Sequence, residues 1–111
     1  MEQSESSASE LLRLSSVDGG SLTVFDKASL DIKWQLNMLH MTQPHGIATR
    51  DLSDDIMICG QGKDNAASVV SVDAASQSIV WAYDFKDDSS SSAVNICKDV
   101  AYQGTLPIFL I

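Results

Sequence analysis

This sequence of 111 residues contains an internal repeat with an offset of 47 residues. When residues 21–36 are aligned with residues 68–83, six of the sixteen positions are identical. Repeats with periods of about 20–50 residues are typical of proteins in which similar small units stack on one another. The sequence therefore predicts two copies of one supersecondary unit. The identical pairs are Ser21/Ser68, Asp26/Asp73, Ala28/Ala75, Ser29/Ser76, Ile32/Ile79 and Trp34/Trp81.

Each copy has the pattern of a β-hairpin. A run of β-branched and aromatic residues precedes a short polar break, and apolar residues then recur at every second position. Asp26 and Ser29 in the first break carry short side-chain oxygens that bond nearby backbone amides, which favours a turn. The first run has Leu22 and Val24 on one face and Phe25 on the other, so we expect both faces of the hairpin to be partly buried.

A helix is the alternative interpretation of the segment that begins at Ser29. Apolar side chains recur there at helical as well as at alternating spacing, and the second copy repeats only the alternation. The sequence favours a strand over a helix in this segment. The residues at helical spacing are Leu30, Trp34, Met38 and Met41.

The fold class predicted from this repeat is all-β, with antiparallel four-stranded propeller blades. A period of 47 residues suits such a blade. We expect about two blades of an incomplete β-propeller in residues 11–111, preceded by a disordered, acidic and Ser-rich tail in residues 1–10. The expected first blade is 11–43, the second is 44–85, and a third begins at 93–111. Within them we expect strands at 11–16, 21–26, 30–36, 45–50, 55–60, 68–73, 78–84, 93–98 and 105–111.

The repeated Asp, Ser and Trp resemble the blade motif of PQQ-like (quinoprotein) propellers. In that family a strand ending in Asp, a Thr-Gly-Lys turn and a final Trp recur in every blade. Here the turn glycine is replaced by Leu30 and Gln77, and the lysine by Asp31 and Ser78. Residues 44–48 are similar instead to the opening of a blade in lactonase-like and NHL-type propellers. The motif positions in this chain are Asp26, Ser29 and Trp34, and Asp73, Ser76 and Trp81.

The resemblance implies a fold and leaves the function open, because PQQ-like propellers include both dehydrogenases and assembly scaffolds. We expect no cofactor and no catalytic residue, since a quinone site on the axis of a propeller needs contributions from many blades. The leading hypothesis is a non-enzymatic scaffold that binds protein partners or the remaining blades. The alternative is a fragment of a lactonase-like or PQQ-like enzyme, a hydrolase or an oxidoreductase.

The charge and the hydropathy of the chain limit the classes of molecule that it could bind. The 15 acidic and 7 basic residues give a net charge of −8, which repels phosphate backbones and anionic lipid surfaces. We therefore expect neither nucleic acid nor membrane as a partner. The sequence has no apolar run of the ~18 residues that a membrane helix needs, and its first ten residues lack the pattern of a secretion signal. These features predict a cytoplasmic protein.

Two pairs of residues are the candidates for chemistry. His40 and His45, with Met38 nearby, could hold a soft metal ion, although side chains in a connecting loop would serve equally as structural elements. We favour the structural interpretation and expect no metal. Cys59 and Cys97 could form a disulfide or remain buried thiols, and we favour the thiols. The apolar segment Leu106 to Ile111 predicts self-association through exposed strand edges.

Overall fold

The chain forms ten antiparallel β-strands in the part that the structure, a computed structural model, describes: residues 2–6, 10–15, 20–38, 41–50, 53–62, 66–85 and 96–110. The predicted all-β class is therefore confirmed. The strands are β1 (Glu2–Ser6), β2 (Glu10–Ser15), β3 (Gly20–Asp26), β4 (Ile32–Met38), β5 (Met41–Thr49), β6 (Asp55–Gly62), β7 (Ala67–Asp73), β8 (Ser78–Asp84), β9 (Asp99–Gln103) and β10 (Leu106–Leu110).

The strands form three separate sheets in which consecutive strands are neighbours. Sheet 1 has the order β1-β2-β3-β4, sheet 2 has the order β5-β6-β7-β8, and β9 pairs with β10 in a two-stranded hairpin. All pairs are antiparallel. Trp34 lies on β4 and Trp81 on β8, so the two repeat tryptophans occupy the last strands of two different sheets.

Several predicted element bounds differ from the structure. Residues 2–6 of the expected disordered tail form β1, which pairs with β2, while residues 7–9 lie outside the described part. The helical alternative is wrong, because residues 32–38 are strand. Sheet 2 begins at Met41 and not at residue 44. Residues 96–98, expected in a strand, precede β9, and residues 93–95 are not described.

A hydrophobic core fills the space between sheet 1 and sheet 2. Because side chains alternate along a strand, Leu12 and Leu14 of β2 point to the same face as Leu22 and Val24 of β3. The side chains of Trp34 and Leu36 of β4 pack against the same core. Sheet 2 contributes a matching set of β-branched side chains. The fully buried members on that side are Ile58, Val70 and Val72.

The opposite face of sheet 2 packs against the β9–β10 hairpin. Met57 and Cys59 alternate with Ile56 and Ile58 along β6 and form a second core with Val69 of β7 and with Val100. Both faces of sheet 2 are therefore covered, which explains its nearly continuous apolar strands.

Sheet 1 differs from this pattern, because polar side chains lie on its second face. Thr23 and Gln35 lie there and join by a hydrogen bond of 3.0 Å from the Gln35 amide to the Thr23 hydroxyl. Arg13 is exposed on the same face. The expectation that both faces of the first hairpin are partly buried is confirmed for β3, because Leu22 and Val24 are buried on one face and Ser21 and Thr23 on the other.

Two glycines let the sheets approach each other closely. A Cβ on Gly20 of β3 would overlap the carbonyl oxygen of Met41, at the start of β5. A Cβ on Gly46 of β5 would lie 2.7 Å from the Cα of Asp99, at the start of β9. Each glycine lies at a different contact between sheets. Residues with a side chain would force the neighbouring backbone apart at both places.

Candidate functional site

The two copies of the repeat adopt matching backbone structures. The pairing register shifts between Val24 and Phe25 in sheet 1, and it shifts 47 residues later, between Ser71 and Val72, in sheet 2. In the first turn the Asp26 carboxylate accepts hydrogen bonds from the backbone N–H groups of Ala28 (3.0 Å) and Ser29 (2.9 Å). In the second turn the Asp73 carboxylate accepts one from the N–H of Ser76, at 3.1 Å. The motif aspartates and serines thus hold the turns.

The fourth residue after each repeat aspartate has a left-handed backbone conformation. Leu30 has φ 64° and Gln77 has φ 57°, and they are the non-glycine residues with positive φ in the described part of the chain. A Cβ in this conformation crowds the following carbonyl, which glycine avoids. The geometry therefore favours glycine at positions 30 and 77 over the residues present.

We expect Leu30→Gly to raise the free energy of unfolding by about 0.5–1 kcal/mol, because it relieves the left-handed strain and removes little buried surface. Leu30 is 63% exposed. Urea unfolding of the variant beside Leu30→Ala, which keeps the Cβ, measures this gain. Equal stability of the two variants would contradict the assigned strain.

The first turn, which Asp26 holds, should also make the stability of the protein depend on pH. The backbone N–H groups of Ser29 and Ala28 lower the pKa of Asp26 below its ordinary value. A carboxylate with a lowered folded-state pKa stabilises the fold above its unfolded-state pKa of about 4, and the contribution is lost as the pH falls through the folded-state value. We expect Asp26→Asn to be less stable than wild type at pH 7 and the difference to shrink below about pH 4. Melting temperatures between pH 2 and 7, with Asp54→Asn as a charge control, test this; a constant difference contradicts it.

The repeat tryptophans lie in equivalent positions but in different surroundings. Trp34 pairs with Val24 and packs on the core between sheets 1 and 2. Trp81 pairs with Ser71, 47 residues later, on the face of sheet 2 toward the hairpin, and it is 45% exposed. Tyr83, on the same face, is also 45% exposed and meets Phe85 edge to face, with ring centroids 5.2 Å apart. We name Trp81 and Tyr83 the outer shelf.

A second exposed apolar area lies on the hairpin. Val100 and Phe109 point toward sheet 2, so the alternating side chains of β10 point away from it. Leu106, Ile108 and Leu110 are 61%, 47% and 59% exposed. We name these three residues the hairpin face. Clustered apolar side chains of this kind mark interaction surfaces more often than isolated ones do.

The histidine candidates are not brought together with other metal ligands in the described part. His45 lies in β5, where the strand at 45–50 was expected, and His40 lies outside the described residues. Burial lowers the pKa of His45, and its Nε2 atom is buried with no hydrogen-bond partner among the described residues. Met38 and Met41 are buried in the core between sheets 1 and 2. No group of three His, Cys, Asp or Glu side chains in the described ranges could hold a metal ion.

One polar cluster was missed by the sequence analysis. The Arg50 guanidinium donates a 2.5 Å hydrogen bond to the Asp55 carboxylate and lies 5.5 Å from the centre of the Tyr102 ring. The bond to Asp55 raises the pKa of Arg50, and the bond from Arg50 lowers the pKa of Asp55. Through Arg50 and Tyr102 the cluster connects the end of β5 to β9. An open cleft lined by Thr49 and Thr105 lies beside it. Arg50 and Tyr102 are far apart in sequence, so local patterns give no signal for their contact.

The two cysteines are free thiols, and both are fully buried. The interpretation favoured from sequence, buried thiols, therefore describes the structure. Cys59 lies in β6, and Cys97 lies just before β9, so the thiols come from the two sides of the core between sheet 2 and the hairpin.

Comparison with known proteins finds no match to the chain among family models, curated proteins or solved structures. In the described ranges, no helix is long and apolar enough to cross a bilayer.

Proposed function

We propose that the chain is a segment of a β-propeller with PQQ-like repeats and that it acts as a non-enzymatic scaffold for protein interaction. The observation that carries the proposal is the backbone match between the two repeats. Their register shifts and their left-handed turn residues recur at the same offset in two separate four-stranded sheets. This is the repetition expected of propeller blades, each of which is one antiparallel sheet.

The contacts between sheets support a wedge-like arrangement. Sheet 1 approaches sheet 2 through β1, β2 and β3, all of which contact β5, the first strand of sheet 2. The hairpin in turn approaches sheet 2 through β9, which contacts β5 and β6. Close approach around β5, at Gly20 of β3 on one side and at Gly46 on the other, supports blades that converge on a common axis.

Nuclear Overhauser effects in solution test this arrangement. We expect backbone contacts between β1 and β5 and between β5 and β9, with none between β4 and β8. Contacts along the whole length of β4 and β8 would mean parallel stacking without convergence and would overturn the propeller proposal.

The repeat also indicates what covers the exposed apolar side chains. Trp34 packs on the core shared with the next sheet along the chain, whereas the equivalent Trp81 is 45% exposed on the face of sheet 2 toward the two-stranded hairpin. By this equivalence the outer shelf and the hairpin face are surfaces for a further antiparallel sheet. A β-rich protein partner or another blade of the same kind would supply that sheet.

The scaffold role is tested by quantitative affinity capture with paired variants. Ile108→Lys changes the hairpin face, and Leu30→Lys changes an exposed leucine in the turn of sheet 1. We expect β-rich partners to be retained by wild type and by Leu30→Lys and to be lost with Ile108→Lys. Equal retention by the two variants, or no reproducible partner for wild type, contradicts the proposed role.

The purified chain should self-associate through the same surface. We expect wild type and Leu30→Lys to elute above the monomer mass at concentrations of about 100 μM, and Ile108→Lys to elute as a monomer, because a charge on an apolar contact surface opposes association. Size-exclusion chromatography with light scattering measures the masses. A sharp monomer peak for wild type with cooperative unfolding would contradict the prediction.

A further inference from the structure

The strongest unassigned chemistry lies in the core between sheet 2 and the hairpin, where the Cys59 thiol of β6 lies near Cys97, just before β9. The Cys59 thiol donates to the carbonyl oxygen of Cys97 at 3.5 Å. The backbone N–H of Cys97 donates to the carbonyl oxygen of Gly60 at 3.2 Å. These contacts join β6 directly to the segment that leads into β9. The two residues are 38 positions apart, so the chain folds back to bring them together.

The surroundings of this pair are apolar and closed. Met57, Val69 and Val100 pack around the thiols, and both cysteines have no exposed surface. A small oxidant therefore reaches either sulfur only when the hairpin moves away from sheet 2. The hairpin has only two strands and one packed face, so it is the element of this core best able to open locally.

We propose that Cys59 and Cys97 form a disulfide under oxidising conditions and that this bond locks the hairpin onto sheet 2. The inference is independent of the proposed scaffold function. In the reduced protein the hairpin is held by packing and hydrogen bonds, and in the oxidised protein it is also held by a covalent bond. The redox state of the cysteine pair then controls how firmly the β9–β10 hairpin is attached to sheet 2.

The oxidant is a small-molecule disulfide, and the reaction proceeds by two exchanges. A hydrogen bond from the Cys59 side chain lowers the pKa of Cys97, whereas the interaction with Cys97, together with burial, raises the pKa of Cys59. When the hairpin opens, Cys97 moves with the segment that leads into β9, loses its proton and attacks first; it forms a mixed disulfide and releases one small thiolate. Cys59 then loses its proton and displaces the second small thiolate from Cys97. Two protein thiols are oxidised to one disulfide, one small disulfide is reduced to two thiols, and the two protons end on these thiols.

The experiment uses the full chain, reduced and then incubated with oxidised glutathione in native buffer. We expect the intact mass to fall by two hydrogen atoms, with the 59–97 link found by peptide mapping and reversed by dithiothreitol. Cys59→Ala, a small apolar replacement, should stop at the glutathione adduct on Cys97. A lasting adduct on wild type, intermolecular dimers as the main product, or a link formed only in denaturant would each overturn the proposal.

Hydrogen exchange distinguishes a disulfide that restrains the opening of the hairpin from one that has no effect on it. Oxidation should slow exchange of the β9 and β10 amides about tenfold or more while leaving β2 and β3 unchanged, because the bond suppresses local opening of the hairpin. Unchanged exchange in β9 and β10 would overturn the lock even if the disulfide forms. Neither readout needs a partner protein, so failure here leaves the scaffold proposal standing.

Discussion

Ile58→Ala should lower the free energy of unfolding by about 2–5 kcal/mol, the range for removing a large aliphatic side chain from a packed core. Ile58 has no exposed surface and pairs with Ile47 of β5 and Val70 of β7. This row of three β-branched residues faces the leucines of sheet 1 across the core. The loss is a large share of the ~5–15 kcal/mol that holds most domains folded. Urea unfolding followed by circular dichroism measures it.

Val80→Ala is the matched control, since it also replaces a β-branched strand residue with alanine. Val80 is 61% exposed, so we expect a change within about 0.5 kcal/mol. Similar losses for the two variants would mean that sheets 1 and 2 do not share a packed core in solution.

Gly46→Ala should weaken the attachment of the hairpin, at a cost of about 1–3 kcal/mol. The added methyl group would lie 2.7 Å from the Cα of Asp99 and 3.0 Å from the backbone nitrogen of Val100. Both obstacles are backbone atoms, which move only if β9 moves as a whole. We therefore expect faster hydrogen exchange in β9 and β10 with smaller changes in sheet 1.

Gln43→Ala provides the comparison within β5, because Gln43 is exposed. It should leave exchange in the hairpin unchanged. If Gly46→Ala instead accelerates exchange evenly throughout the chain, the hairpin does not open as a separate unit.

The features predicted well from sequence are those that depend on residues close together in the chain and that recur in both copies of the repeat. Asp26 and Asp73 predicted turns, and their carboxylates hold turns. The alternating residues around Trp34 predicted a strand, and the period of 2 prevailed over the competing helical spacing. The antiparallel order of neighbouring strands followed from the short polar breaks between them.

Features set by backbone pairing or by distant contacts were not predictable. Residues 2–6 have the composition of a disordered tail, yet they form β1 by pairing with β2. Pro44 was expected in a connection ahead of a strand at 45–50, but β5 begins at Met41 and accommodates Pro44 through a register irregularity at the edge of sheet 2. The exposure of Trp81 depends on how far the hairpin extends across sheet 2, which the repeat pattern does not encode.

The coverage of sheet 2 on both faces has a consequence for how its strands find their alignment during folding. In sheet 1 a slip of one residue in the pairing register would expose the leucines to solvent and bury polar groups. Both changes cost free energy, so the misaligned sheet is less stable. In β6 the same slip would exchange Ile58 for Cys59, and both places would still receive an apolar group. The correct alignment there must come instead from features that tolerate no displacement: the tight Asp73 turn, and Gly60, whose missing side chain leaves room for the Gln43 carbonyl. Insertions or deletions of one residue in β6 or β7 should therefore yield misaligned but compact proteins rather than unfolded ones.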